Sequence, residues 1–214
     1  MDSYKMPAGY GRSEYIEKKS RFIGQVFVVE SEQEAKQKLE AVRKEYYDLR
    51  HHCWCYRLRG GQKRYSDDGE PQGTAGQPML AVFEREGVEN VCCVVSRFFG
   101  GILLGTGGLA RAYARAAKDA LDAAGIVQMR SWSDGTVRCG YALYERIRLL
   151  AAAHGGVVRE PEYGAQITLR LMLPEENTEN FSAALQELSA GTVAFEKQGC
   201  AFRAAPCPPV NPEK

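Results

Sequence analysis

The period of the apolar positions changes several times along the chain, and each change predicts an element. From 15 to 29 the chain reads as an extended strand or strand pair ending in Phe27-Val28-Val29, the composition a strand favours. Ser31 with Glu34 three residues on is a capping-box signature. Ala35, Leu39 and Val42 follow at helical spacing, which predicts a helix over about 31–47. Residues 51–58 read as a second strand, and 59–77 as a long polar loop rich in glycine. A second helix opens near Thr74 and carries Met79, Leu80 and Phe83. The segment 90–99 is apolar at almost every position, as a strand covered on both faces is. A glycine-rich turn then leads into a helix over about 107–124. Strands and helices are mixed through this half, which makes it an α/β or α+β domain.

The polar cluster 131–135 is turn-like and marks the expected domain boundary. Beyond it, 136–141 predicts a strand, and Leu143, Ile147, Leu150 and His154 mark one face of a helix. Two strands over 157–163 and 166–173 meet at a tight turn at Gly164-Ala165. Asn177 or Thr178 caps a helix with Phe181, Leu185 and Leu188, and 193–202 is the last strand. This β-α-β-β-α-β order is the ferredoxin-like plan. The expected organisation is therefore α+β, with one domain over 1–130, a ferredoxin-like domain over 131–205, and a disordered Pro-rich tail over 206–214.

Composition narrows the class. The chain is 44% hydrophobic and 26% charged, the balance of a folded soluble protein. No apolar run approaches the ~18 residues of a membrane span, and the N-terminus lacks a signal-peptide core. Seven cysteines show no regular disulfide framework, so a reducing cytoplasm is expected. The net charge of +1 argues against a wholly basic nucleic-acid binder. Its distribution is uneven, with 20 Lys and Arg against 17 Asp and Glu over 1–130, and 8 against 10 over 131–214. The small positive bias sits in the first half.

The candidate chemistry lies between 66 and 113. The first loop holds Asp67, Asp68 and Glu70 ahead of Gly73-Thr74-Ala75-Gly76, where glycine permits positive φ or close approach to a ligand. The three carboxylates could hold Mg²⁺ through oxygen, or serve as turn and helix-cap residues. Their spacing matches no defined ion loop. The second loop runs from Arg97 through Gly100-Gly101 to Gly105-Thr106-Gly107-Gly108. Strand, glycine turn and helix in that order aim backbone N–H groups and a positive helix end at one spot, suited to phosphate. The alternative is glycines that serve only a tight turn.

Arg111, Arg115 and Lys118 fall on one face of the following helix. A second basic cluster, Arg57, Arg59, Lys63 and Arg64, precedes the first loop. Tyr65, Phe98 and Tyr113 lie near these cations and could stack on bases if exposed. His51, Cys53 and Cys55 share one strand face, but alternate strand residues are roughly 6–7 Å apart, too wide to converge on zinc.

Taken together, His51-His52-Cys53-Trp54, Ser66-Asp67-Asp68-Gly69-Glu70-Pro71 with Gly73-Thr74-Ala75-Gly76, and Arg97-Phe98-Phe99-Gly100-Gly101 through Leu109 and Arg111-Ala112-Tyr113 resemble the Impact family, bacterial YigZ type. The resemblance implies a first domain with the β/α fold of a ribosomal-protein second domain. It implies a second domain like the ferredoxin-like domains of elongation factor G. Eukaryotic relatives are linked to control of translation initiation, and bacterial members have been proposed to bind nucleic acid. Two departures stand out: Phe98 where tyrosine is usual, and Leu103 where many members carry lysine.

The expected function is a non-enzymatic RNA- or ribosome-associated regulator of translation. Phosphate would lie across Gly73, Thr74, Gly76, Gly100, Gly101, Gly105, Thr106, Gly107 and Gly108, with Arg97, Arg111 and Arg115 as counter-charges. Arg57, Arg59, Lys63, Arg64 and Tyr113 would add RNA contacts, with no cofactor other than a conceivable Mg²⁺ at Asp67, Asp68 and Glu70. The alternatives are an enzyme acting on a phosphorylated small molecule or nucleotide, and a protein-interaction module of a stress-response pathway, with a protein partner in translation control. No membrane partner is expected, and the oligomeric state is open.

Overall fold

The computed structural model describes residues 3–159 and 161–205. The expected disordered tail lies outside them. The described elements run β1 (Tyr4–Pro7), β2 (Gly11–Glu17), β3 (Ser20–Val28), α1 (Glu32–Glu45), β4 (His51–Arg57), β5 (Lys63–Ser66), α2 (Gly76–Glu86), β6 (Val91–Phe98), α3 (Gly105–Ala124) and β7 (Ile126–Cys139). There follow α4 (Tyr141–Ala153), β8 (Val157–Val158), β9 (Glu162–Tyr163), β10 (Ile167–Pro174), a 3₁₀ turn Glu175–Asn177, α5 (Thr178–Leu188) and β11 (Phe195–Ala205). The chain separates into two compact units, Tyr4–Gln128 and Met129–Ala205. The mixed α+β class follows directly.

In the first unit an antiparallel sheet takes the order β2-β3-β6-β4-β5. Its central strand explains why 90–99 is apolar throughout. Cys92 and Val94 turn to α1, joining Ala35, Leu39 and Val42, while Val91, Cys93 and Val95 turn to α2 and α3. Both faces of one strand are thus covered, and period-2 alternation is lost from the sequence. The helix expected at 31–47 forms as α1. Ser31 Oγ accepts the Glu34 N–H at 3.2 Å, and the Glu34 carboxylate accepts the Glu30 N–H at 2.9 Å. The polar stretch 59–77 is not all loop, since Lys63–Ser66 pairs with β4.

α3 rides unusually close to β2 and β3. Its buried face is built of Ala112, Ala116, Ala117, Ala120 and Ala124, and the strands answer with glycine. A Cβ on Gly24 would stand 2.5 Å from the Ala116 carbonyl oxygen, and one on Gly11 would stand 2.2 Å from that of Ala120. Ser13 donates its hydroxyl to the Ala116 carbonyl at 2.8 Å. Small residues on both sides let backbone approach backbone, which fixes where the start of α3 points.

The second unit has strand order β11-β7-β10-β8, with β9 also on β10, and two helices. This is the expected ferredoxin-like plan. Its core joins Val137, Ile147, Leu169, Leu171, Phe181 and Leu185. The polar cluster 131–135 is strand, not turn: Ser133 pairs with Leu173 and Gly135 with Leu171. Its polar side chains are satisfied sideways, Ser133 on Glu175, Asp134 on Arg203 and Ser131 beside Cys200. Gly135 is present because the Phe195 ring lies where a Cβ would be.

Gly24→Ala is expected to lower stability by about 1–3 kcal/mol in urea unfolding, the cost of forcing atoms into a packed contact. Gly9→Ala, with nothing within 4 Å of the added carbon, is expected to be near neutral.

Candidate functional site

Both glycine-rich loops leave strand ends, β5 and β6, and border one cavity of about 560 Å³. The first loop is organised by Asp67. One carboxylate oxygen accepts the N–H groups of Ala75 (3.0 Å) and Gly76 (2.8 Å), and the other accepts that of Gly73 (2.8 Å). These donors open α2, and they are the ones a phosphate would use there. Asp67 occupies the anion's place. Gly76 is glycine because the Ser66 backbone passes within 2.8 Å of a would-be Cβ, and the buried Thr74 donates to the Pro71 carbonyl at 2.6 Å. Gly73, Thr74 and Gly76 therefore close a turn around a carboxylate of the chain itself.

The other two acids turn elsewhere. Asp68, in the left-handed region at φ 40°, accepts the His52 N–H at 2.8 Å and pairs with Arg43 at 3.1 Å. Its carbonyl sits 2.9 Å from His51 Nδ1. Glu70 Oε1 accepts from Arg97 at 2.6 Å and from the Tyr113 hydroxyl at 2.8 Å. The Arg97 and Glu70 side chains are only 6% and 4% exposed. The three carboxylates diverge to three sets of partners. Among the described residues no group of three His, Cys, Asp or Glu is placed to hold a metal ion.

Arg97 also donates to Ser20 Oγ at 3.3 Å and lies 5.4 Å from the ring centres of Phe22 and Phe99. Tyr113, expected among the RNA contacts, is fully buried and meets Phe22 edge-on. No base can stack on it there. Burial pushes its phenol well above the ordinary tyrosine range, so it stays protonated and donates to Glu70. Burial likewise raises the Cys53 thiol, which donates to the Asp67 carbonyl at 2.9 Å and is no nucleophile.

The second loop is different. Gly100 admits the β2–β3 hairpin, because a Cβ there would stand 2.0 Å from the Lys19 carbonyl carbon. Gly101 and Gly105 take positive φ, 81° and 71°. α3 then begins with Leu104 as a cap that offers no side-chain bond, and its first turn contains no acid. Thr106 and Gly107 are exposed. Arg111 folds back along the helix, its Nη1 3.4 Å from a Cβ position at Gly107. No ion pair or hydrogen bond ties this exposed guanidinium among the described residues.

The expected basic clusters are mostly spent within the chain. Arg57 binds the Val88 carbonyl and Glu89, Lys63 binds Glu84, and Arg64 binds Glu32. Arg59 stacks over Tyr4, 4.5 Å from its centre. Arg115 is paired with Asp119, and Lys118 with Asp122 and Glu86. Lys18 and Lys19, which the sequence reading does not single out, lie beside this loop. They form the tip of the β2–β3 hairpin, both at positive φ (45° and 66°), both exposed and both unpaired among the described residues. The available signal was a Lys-Lys pair at a two-residue hairpin turn, where Asn-Gly is the favoured dipeptide.

Comparison with known proteins agrees with this anatomy. The Impact N-terminal domain profile matches residues 18–121, and that of a Domain of unknown function (DUF1949) matches 137–192. The chain is 37% identical to IMPACT family member YigZ of Escherichia coli (strain K12), covering 90% of this chain and 97% of that one. It is 32% identical to IMPACT family member YvyE of Bacillus subtilis (strain 168), covering 89% of each. A solved structure titled "Crystal structure of an hypothetical protein" is 36% identical, with a TM-score of 0.59 over 93% of this chain and 98% of that one.

Removing one partner of the buried pair strands the other charge. Glu70→Ala is expected to cost about 3–5 kcal/mol in urea unfolding. His52 gives a pH test. Its ring is buried with Nδ1 2.9 Å from Ser96 Oγ, and burial holds its pKa below the ordinary 6.5. The unfolded chain then takes up the proton first, so stability is full above pH 6.5 and falls as pH drops below it. His52→Gln is expected to flatten that fall in denaturation midpoints measured across the window.

Proposed function

The chain belongs to the Impact family, and on that premise we propose that it is a non-enzymatic, RNA- or ribosome-associated regulator of translation whose anion site is the first turn of α3. The observation that carries this reading is the charge arrangement there. A positive helix end meets Arg111, unpaired among the described residues, with no acid in the turn and no side-chain cap. A cation at that end of a helix is unfavourable by roughly 0.3–1 kcal/mol, whereas an anion is stabilised there. The arrangement becomes favourable when a phosphate sits between helix end and guanidinium. The first loop supports the same conclusion by contrast, since its helix start already holds Asp67.

One observation favours a second reading. A cavity of about 560 Å³ falls within the range of about 300–1,000 Å³ that small ligands use, so a phosphorylated small molecule is a rival occupant. Thermal shifts with nucleotides and phospho-sugars separate the two, because a ligand above its Kd raises the melting point.

RNA binding is expected at low salt and to weaken steeply as salt rises. Arg111→Glu is expected to weaken it across sequences and to reduce the slope of log K against log salt by about 1. Filter binding to RNA and to ribosomes checks this. No binding at low salt, or an Arg111→Glu variant that binds like the parent, would sink the proposal.

A further inference from the structure

We infer that the nucleic acid held here is single-stranded, with bases on the exposed Phe98 side of α3 and backbone phosphates on the Lys18-Lys19 hairpin side. The inference rests on the anion-site reading of α3 and adds to it a strand type, a direction across the site and three residues. Two cavities flank the first turns of α3. The one of about 560 Å³ is walled by Pro71, Phe98, Phe99 and Leu103, with Arg50 and His51 at its border. The other, about 320 Å³, is bordered by Tyr15, Lys18, Gly108, Arg111 and Arg115. Leu104 lines both, so a chain leaving one enters the other over that side chain.

The two sides differ in chemistry. Phe98 is 53% exposed and Leu103 83% exposed, and a ring so placed offers a stacking face to a base that is not paired. In a duplex the bases are stacked within the helix and present phosphates and sugar hydroxyls instead. Arg97 lines the same cavity, and its buried Nε–H has no acceptor among the described residues. A buried donor without a partner costs free energy until an acceptor arrives. The acids of this side are Glu70, committed to Arg97, and the exposed Asp48.

On the hairpin side the cations prevail. Glu17 accepts the Tyr15 hydroxyl at 2.7 Å, Asp119 holds Arg115, and Lys18, Lys19 and Arg111 have no acid of their own among the described residues. Two lysines at left-handed φ sit where Asn-Gly would be relaxed, and neither side chain is buried in return. Their charge is what the chain keeps by placing them there. The Gly100 contact holds this tip against the second loop, which keeps the cations beside the aromatic wall.

The experiment measures fluorescence anisotropy of the full chain with a labelled single-stranded RNA and with the duplex of the same sequence. Tighter binding of the single strand is expected. Phe98→Ala is expected to weaken the single strand roughly 5- to 150-fold, the worth of one stacked base, and to leave the duplex unchanged. Lys18→Asn with Lys19→Gly is expected to raise Tm while weakening RNA and lowering the salt slope by about 1.4, or 0.7 for each lost phosphate contact. Equal binding of duplex and single strand with an inert Phe98→Ala overturns this inference and leaves the anion site standing. A double hairpin variant that gains Tm yet binds like the parent overturns the role of the two lysines. Absence of any RNA binding removes both the site and the inference.

Discussion

A guanidinium and a carboxylate out of water, 2.6 Å apart, tie together everything around the second loop. Glu70 comes from the first loop, Arg97 from the end of β6, Tyr113 from α3 and Ser20 from the β2–β3 hairpin. Four segments distant in sequence thus converge on one pair. Desolvating two charges is expensive, and their attraction repays it only when the remaining hydrogen-bonding capacity is met. Tyr113 and Ser20 meet much of it. The pair is a poor source of net stability but a strict one of position, because any of the four segments that drifts leaves a charge unpaired. The start of α3, the aromatic wall and the hairpin tip hold their relative places through it.

That constraint sorts the two glycine loops. They look alike in sequence, each rich in glycine and each opening a helix. In the first, the helix end is neutralised by Asp67 and the glycines make room for backbone. In the second, the helix end has neither acid nor cap. A glycine-rich helix start is therefore an anion site only where the chain supplies no anion of its own. The deciding residue, Asp67, lies nine positions before the amide of Gly76 that it satisfies, too far for any local capping rule.

The elements were legible in the sequence where local chemistry sets them. Ser31 with Glu34 marked α1, and the apolar run 90–99 marked the doubly covered β6. Legibility failed where tertiary contact overrides local preference. Ser131, Asp134 and Gly135 read as a turn, but side-chain partners and the Phe195 ring hold them in a strand. The site failed in the same way. Arg57, Lys63 and Arg64 form a basic run in one dimension and a set of ion pairs in three. Lys18 and Lys19 reach the second loop only because Gly100 admits a hairpin 80 residues away against it.

The near-neutral net charge then takes on a different meaning. Among the cations that no ion pair holds within the described residues, Lys18, Lys19 and Arg111 lie at the hairpin tip and the start of α3, and a patch of that size works within a Debye length of about 8–10 Å. Long-range steering by a protein of net charge +1 is weak, so under the proposed function selectivity has to come from contact. Leu103 fits this balance. It stands 83% exposed where the family resemblance leads one to expect lysine. The exchange removes a cation from the loop and extends the apolar wall beside Phe98. Under the proposed function, a site altered in that direction relies less on charge and more on the face of an unpaired base.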